Sequence, residues 1–73
     1  MSTLGQKITK ARIDRRLKQK DLAAMTGLSQ KYVSMVERGH VNPRFDLVVR
    51  LAKVLQVSLD SLVPDDDEEA TAA

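Results

Sequence analysis

Apolar residues recur at steps of three and four along the first sixty or so positions, interrupted by short polar stretches, which is the pattern of amphipathic helices. Leu4, Ile8 and Ala11 form one stripe and predict a helix from about Leu4 to Arg16, with Lys7, Lys10 and Arg15 on its outer face and Leu17 entering the core after it. Leu22 and Ala23 mark a second helix from about Gln19 to Met25. Val33 and Val36 mark a third from about Gln30 to Arg38, ended by Gly39. Between these two, Thr26-Gly27 stands where the chain must turn sharply, and glycine reaches positive φ without the penalty of a Cβ. Leu28 closes that turn, and Ser29 suits the N-cap of the next helix. Pro43 has no amide hydrogen and suits the start of a fourth helix, whose stripe is Phe45, Val48, Leu51, Ala52 and Leu55. Ser58 reads as the N-cap of a last short helix carrying Leu59, Leu62 and Val63, stopped by Pro64. No segment shows the period-two alternation of a strand, so the expected fold is all-α, compact and five-helical.

A chain of 73 residues accommodates one small domain with a marginal core, to which dimerisation would add buried apolar surface. The sequence contains no cysteine, which excludes disulfides and thiolate metal sites and fits a reducing compartment. No apolar run approaches a membrane span, and the start Met-Ser-Thr-Leu-Gly lacks the regions of a signal peptide, so a cytoplasmic location is expected. The net charge of +2 hides a division: residues 1–63 hold all 12 Lys and Arg against five acids, a net of +7, whereas Asp65, Asp66, Asp67, Glu68 and Glu69 contribute −5. This predicts a basic folded domain over residues 1–63 and an acidic, disordered tail over residues 64–73. A basic body attracts a phosphate backbone through counterion release. Taken alone, lysines that merely solvate helix surfaces account for the charge equally well.

The second and third predicted helices, joined by a tight turn, have the layout of a helix-turn-helix, which lays its second helix in the DNA major groove. With Val33 and Val36 facing inward, Gln30, Lys31, Ser34 and Met35 face outward, and Tyr32 lies near the edge. Gln30 can pair with adenine N6 and N7, Lys31 can donate to guanine O6 and N7, and Met35 can touch a thymine methyl. Polar residues on a helix face are ordinarily just solvated. Met35 and Tyr32, large and partly apolar, argue for a partner, although packing of Tyr32 on the second helix would satisfy it without one.

The run Leu17-Lys18-Gln19-Lys20-Asp21-Leu22-Ala23, followed by Gly27-Leu28-Ser29, Glu37-Arg38-Gly39, Asn42-Pro43 and Leu51 to Leu59, resembles the lambda repressor/Cro-type (XRE) helix-turn-helix family over about residues 4 to 63. The resemblance implies a sequence-specific transcriptional regulator that binds a palindromic operator in double-stranded DNA as a homodimer, with half-sites about one helical turn apart. It places base readout at Gln30, Lys31 and Met35, with Ser34 close by and Tyr32, by the helix phase, at the edge of the same face. It places a phosphate contact at Gln19 and the Arg44 region near the backbone or the adjoining minor groove; Arg38, Asn42 and Arg44 border the far side of this face, and Lys18 joins the phosphate set. It also implies a structural salt bridge between Arg12 and Glu37. The sequence departs from the family pattern twice. Lys18 replaces the usual Ser or Thr cap, so the second helix begins less firmly or is capped otherwise, and Gln56 replaces a glycine after the fourth helix.

Leu59, Leu62 and Val63 are the candidate dimer surface, with coverage of the monomer core as the other role of the first two. The small build, with Tyr32 in the third helix, resembles the controller proteins of restriction-modification systems. Compact phage or plasmid repressors and antitoxins share it. Repression and activation through a contact with RNA polymerase both stay open. The alternative from another class is an antitoxin-like or adaptor module whose main partner is another protein, such as a toxin.

Catalysis has little support, because His40 is the sole histidine and has no nucleophile or base patterned around it. The carboxylates from Asp65 to Glu69 lack the ordered spacing of an EF-hand loop. No enzyme activity, metal or cofactor is therefore expected. With no length for a ligand-sensing domain, the expected control variable is the protein's own concentration.

Overall fold

The computed structural model describes residues 3–63. They form α1 (Leu4–Asp14), α2 (Gln19–Thr26), α3 (Gln30–Glu37), α4 (Phe45–Leu55) and a 3-10 turn at Leu59–Leu62. The fold is helical throughout, with no strand among the described residues. The fifth helix expected after Ser58 is only this single 3-10 turn, in which the Ser61 amide donates to the Ser58 carbonyl and the Val63 amide to the Asp60 carbonyl, and the Ser58 Oγ lies 2.9 Å from the Ser61 Oγ instead of capping it. Pro64 and the acidic segment beyond it lie outside the described residues.

Local side chains set where α1 and α3 begin. Thr3 Oγ1 accepts from the Gln6 amide (3.2 Å) while Gln6 Oε1 accepts from the Thr3 amide (2.9 Å), a reciprocal cap. Ser29 Oγ accepts from the Tyr32 amide (3.0 Å), as the sequence led us to expect. Pro43, by contrast, does not open α4: Arg44 is its N-cap, and the Leu47 and Val48 amides both donate to the Arg44 carbonyl.

All four α-helices end in the same manner. A residue with positive φ reverses the chain, at Arg16 (60°), Gly27 (77°), Gly39 (80°) and Gln56 (58°). The next amide then reaches back five residues: Leu17 to Arg12, Leu28 to Ala23, His40 to Met35, and Val57 to Ala52. This closure halts α1 at Asp14, two residues before the expected Arg16.

The core joins Ile8 of α1, Leu22 and Ala23 of α2, Val33 and Val36 of α3, Leu51, Ala52 and Leu55 of α4, and Leu62 of the 3-10 turn. α2 packs on α3 and α4, while α1 lies across α3 and the 3-10 turn. Two assignments from the pattern need correction. Phe45, placed in the apolar stripe, is 71% exposed, because it is the first residue of α4 and precedes the stretch that reaches the core. Leu62, offered as dimer surface, is 1% exposed and completes the monomer core.

Candidate nucleic-acid interface

α3 is held from both sides. Val33 and Val36 are buried against α1 and α2, and Ser29 fixes its first turn. That phase leaves Gln30 and Lys31 exposed on the opening turn, with Ser34 and Met35 half-buried behind them. Tyr32 is half-buried and packs against the core. Neither Met35 nor Tyr32 is thus a fully exposed apolar group, and the case for this face rests on Gln30 and Lys31.

α2 begins at an exposed Lys18, whose side chain makes no capping bond. Asp21 supplies only the reverse half of a capping box, its Oδ2 accepting from the Lys18 amide at 2.9 Å. The first-turn amides of Gln19 and Lys20 have no intrahelical acceptor, and the helix dipole adds partial positive charge beside Lys18 and Lys20. α4 repeats the arrangement with Arg44 as a basic cap residue whose side chain makes no capping bond. Arg38 and Asn42 are exposed in the connection between α3 and α4.

Beneath these groups lies an ionic network. The Glu37 side chain, 5% exposed, accepts from Arg12 Nε at 2.7 Å and from Arg12 Nη2 at 3.2 Å. Its Oε1 also accepts from Gln19 Nε2 at 3.1 Å. Arg12 Nη1 donates to the Leu17 carbonyl at 2.8 Å. One carboxylate therefore ties α1, the start of α2 and the end of α3 together. The Arg12–Glu37 contact was expected. The inclusion of Gln19 was not, since nothing in the spacing of residues 19 and 37 signals it.

Sequence reasoning also missed Gly5, which sits inside α1 where a side chain would strike α3. It missed Arg50, whose Nη1 donates to the Thr26 carbonyl at the end of α2 (3.2 Å). Of the remaining dimer candidates, Leu59 is half-buried and Val63 is 37% exposed. Among the described residues no group of His, Asp or Glu is arranged to hold a metal, and no helix is long and apolar enough to cross a membrane.

A helix locked into an all-helical core by one face, presenting amide and ammonium side chains from its capped opening turn and reached through a glycine turn, defines a helix-turn-helix domain. The chain belongs to the helix-turn-helix family, whose profile matches residues 8–62. An uncharacterised HTH-type transcriptional regulator of Sinorhizobium fredii, y4dJ, is 37% identical over 65 residues, which cover 89% of this chain and 84% of that protein. Among solved structures, the restriction-modification controller protein C.AhdI of Aeromonas hydrophila superposes with a TM-score of 0.77 at 34% identity, covering 81% of this chain and 89% of its own. The P22 c2 repressor in complex with a synthetic operator gives a TM-score of 0.81 at 30% identity, covering 90% of this chain and all of its own. Against three further relatives the chain spans only 44%, 29% and 60% of their lengths. The family is one of transcriptional regulators and not of enzymes.

Proposed function

We propose that this protein is a sequence-specific DNA-binding transcriptional regulator, a repressor or autoregulatory controller, that places α3 in the major groove of a two-fold symmetric operator as a homodimer. The observation that carries the reading is the presentation of Gln30 and Lys31: both are exposed on the Ser29-capped first turn of a helix whose other face is immobilised by Val33 and Val36. A rigid support is what base readout requires, since a loose helix cannot aim paired hydrogen bonds.

Gln30 and Lys31 read base edges, with Ser34, Met35 and Tyr32 filling the groove behind them. Lys18, Gln19, Arg38, Asn42 and Arg44 grip phosphates on either side, and the open first turns of α2 and α4 add backbone donors to that grip. Leu59 and Val63 form the dimer contact, Leu62 supporting it from inside the core. In this reading residues 1–63 are the DNA-binding domain, residues 64–73 an acidic appendage, and the protein acts in the cytoplasm. The operator-bound P22 c2 repressor and the controller protein C.AhdI, both similar over most of this chain, support the assignment.

The test is selection of duplexes from a random-sequence pool by the purified protein, followed by affinity measurements at several salt concentrations. The expected product is a pseudo-palindrome with half-site centres about 10 bp apart, bound about a thousandfold or more tighter than scrambled duplex, with affinity falling steeply as salt rises. Recovery of no consensus, with equal weak binding to every duplex, would reject sequence-specific regulation and leave a protein as the main partner.

A further inference from the structure

Glu37 lies away from the exposed side chains of α3, yet it touches one residue of the phosphate-gripping set. We propose that Glu37 is a positioning residue for DNA binding, fixing the side-chain amide of Gln19 so that one of its N–H groups is held ready for a phosphate. The proposal rests on the DNA-binding reading above.

A glutamine amide can present either its oxygen or its nitrogen to a neighbour, and only the nitrogen donates. A carboxylate only accepts, so the Glu37 oxygen facing Gln19 admits the NH2 end and rejects the carbonyl end. The bond is present, Gln19 Nε2 to Glu37 Oε1 at 3.1 Å. That nitrogen keeps a second N–H, carried by the first residue of α2, whose sequence neighbours Lys18 and Lys20 are both exposed. The Glu37 carboxylate is itself fixed, being 5% exposed and held by two nitrogens of Arg12, which is anchored in turn on the Leu17 carbonyl. Gln19 is therefore ordered before DNA arrives, and less rotamer freedom is lost on binding.

Charge and positioning predict opposite signs, which makes the idea testable. Glu37 brings a negative charge towards a polyanion, so by charge alone Glu37→Gln tightens binding. By positioning it weakens binding, because a carboxamide at position 37 both donates and accepts and no longer dictates which end of Gln19 turns outward. Phosphate contacts are independent of sequence, so the probe is a mixed-sequence duplex of about 20 bp at low salt, read by fluorescence anisotropy. All variants are compared at a temperature where thermal melts show them folded. Gln19→Ala and Glu37→Gln are each expected to weaken binding about tenfold, and together no more than the worse of the two. The salt dependence of Gln19→Ala stays unchanged, since a neutral donor is lost.

In 15N NMR spectra of the free protein, the two Gln19 side-chain amide protons should be well separated and slow to exchange. In Glu37→Gln they should move to the positions of a solvated glutamine. Should Glu37→Gln fold poorly, Arg12→Met with Glu37→Met removes both charges while keeping bulk, and it should weaken binding as Gln19→Ala does. Binding by Glu37→Gln as tight as or tighter than the wild type, losses that multiply, or unchanged Gln19 amide protons would overturn the proposal. Failure of the wild type to bind the duplex would reject the DNA-binding reading instead, and the phosphate role proposed for Glu37 with it. The NMR comparison separately decides whether Glu37 orients Gln19.

Discussion

Gly5 and Val36 meet through their backbones: a Cβ on Gly5 would stand 2.5 Å from the Val36 carbonyl oxygen, and as close to that of Glu37. The obstruction is backbone, which cannot swing aside as a flexible side chain can. Gly5→Ala gains about 1 kcal/mol of helix propensity but forces α1 away from the end of α3, an overpacking cost of about 1–3 kcal/mol or more. We expect a net loss of stability, seen as a thermal midpoint lower by several degrees in a circular-dichroism melt. An unchanged or higher midpoint would mean that α1 rides further from α3 than the geometry shows.

The Arg12–Glu37 pair joins α1 to α3 from an almost fully buried position, with side chains 14% and 5% exposed. Removing one partner strands the other, and Arg12→Ala or Glu37→Ala should each cost about 3–5 kcal/mol. For a domain this small that is a large part of the total, and denaturant unfolding should show both variants partly unfolded without denaturant. The double change to methionine should recover most of the loss, because no charge is left unpaired. A loss in the double variant equal to the sum of the single losses would show that the pair is not coupled.

How much of this was legible in the chain depends on how local each cause is. Helical periodicity and the Ser29 cap concern residues within four positions of each other, and the first four expected helices lie where the structure has them, within about two residues at their ends, while the fifth is reduced to a 3-10 turn. Gly27 and Gly39 announced two of the four left-handed reversals, and Gln56 was visible as a departure from the family pattern. Arg16 carries no such mark, and the helical periodicity therefore runs on past the end of α1 at Asp14. The links missed between Gly5 and the end of α3, and between Gln19 and Glu37, join residues far apart in sequence. One helix has to lie across another before either exists. Phe45 shows the converse error: periodicity assigns a residue to a face but does not say how far along the helix that face remains covered.

The four reversals offer a controlled series. Gly27 has open space where a Cβ would go, so Gly27→Ala pays only for the left-handed backbone, about 1–2 kcal/mol. Arg16→Gly removes that same strain and should raise stability by about 0.5–1 kcal/mol, the gain being reduced by the added freedom of glycine in the unfolded chain. Gln56→Gly should gain less, since Gln56 Oε1 also accepts from Arg15 Nη1 at 2.7 Å on the exposed side. Midpoints from denaturant titrations should therefore rank Arg16→Gly above Gln56→Gly and Gly27→Ala last. If Gln56→Gly falls below the wild type, the contact with Arg15 outweighs the strain.

On the proposed DNA face, residues that read bases and residues that grip phosphates should fail in different ways. Gln30 is exposed on the first turn of α3, and its paired donor and acceptor match an adenine edge. Gln30→Ala should flatten the preference at one position of each half-site by about 1–3 kcal/mol while leaving the salt dependence intact. Lys18 stands exposed at the cap of α2 and carries a charge without base chemistry within its role. Lys18→Ala should weaken every duplex alike and lower the slope of log affinity against log salt by about one. Affinities of both variants for the selected duplex and its single-base variants, each at several salt concentrations, separate the two modes. Uniform weakening by Gln30→Ala would remove it from base readout and shift that role to Lys31, its exposed neighbour on the same turn, whereas a base-dependent effect of Lys18→Ala would bring the start of α2 into the groove itself.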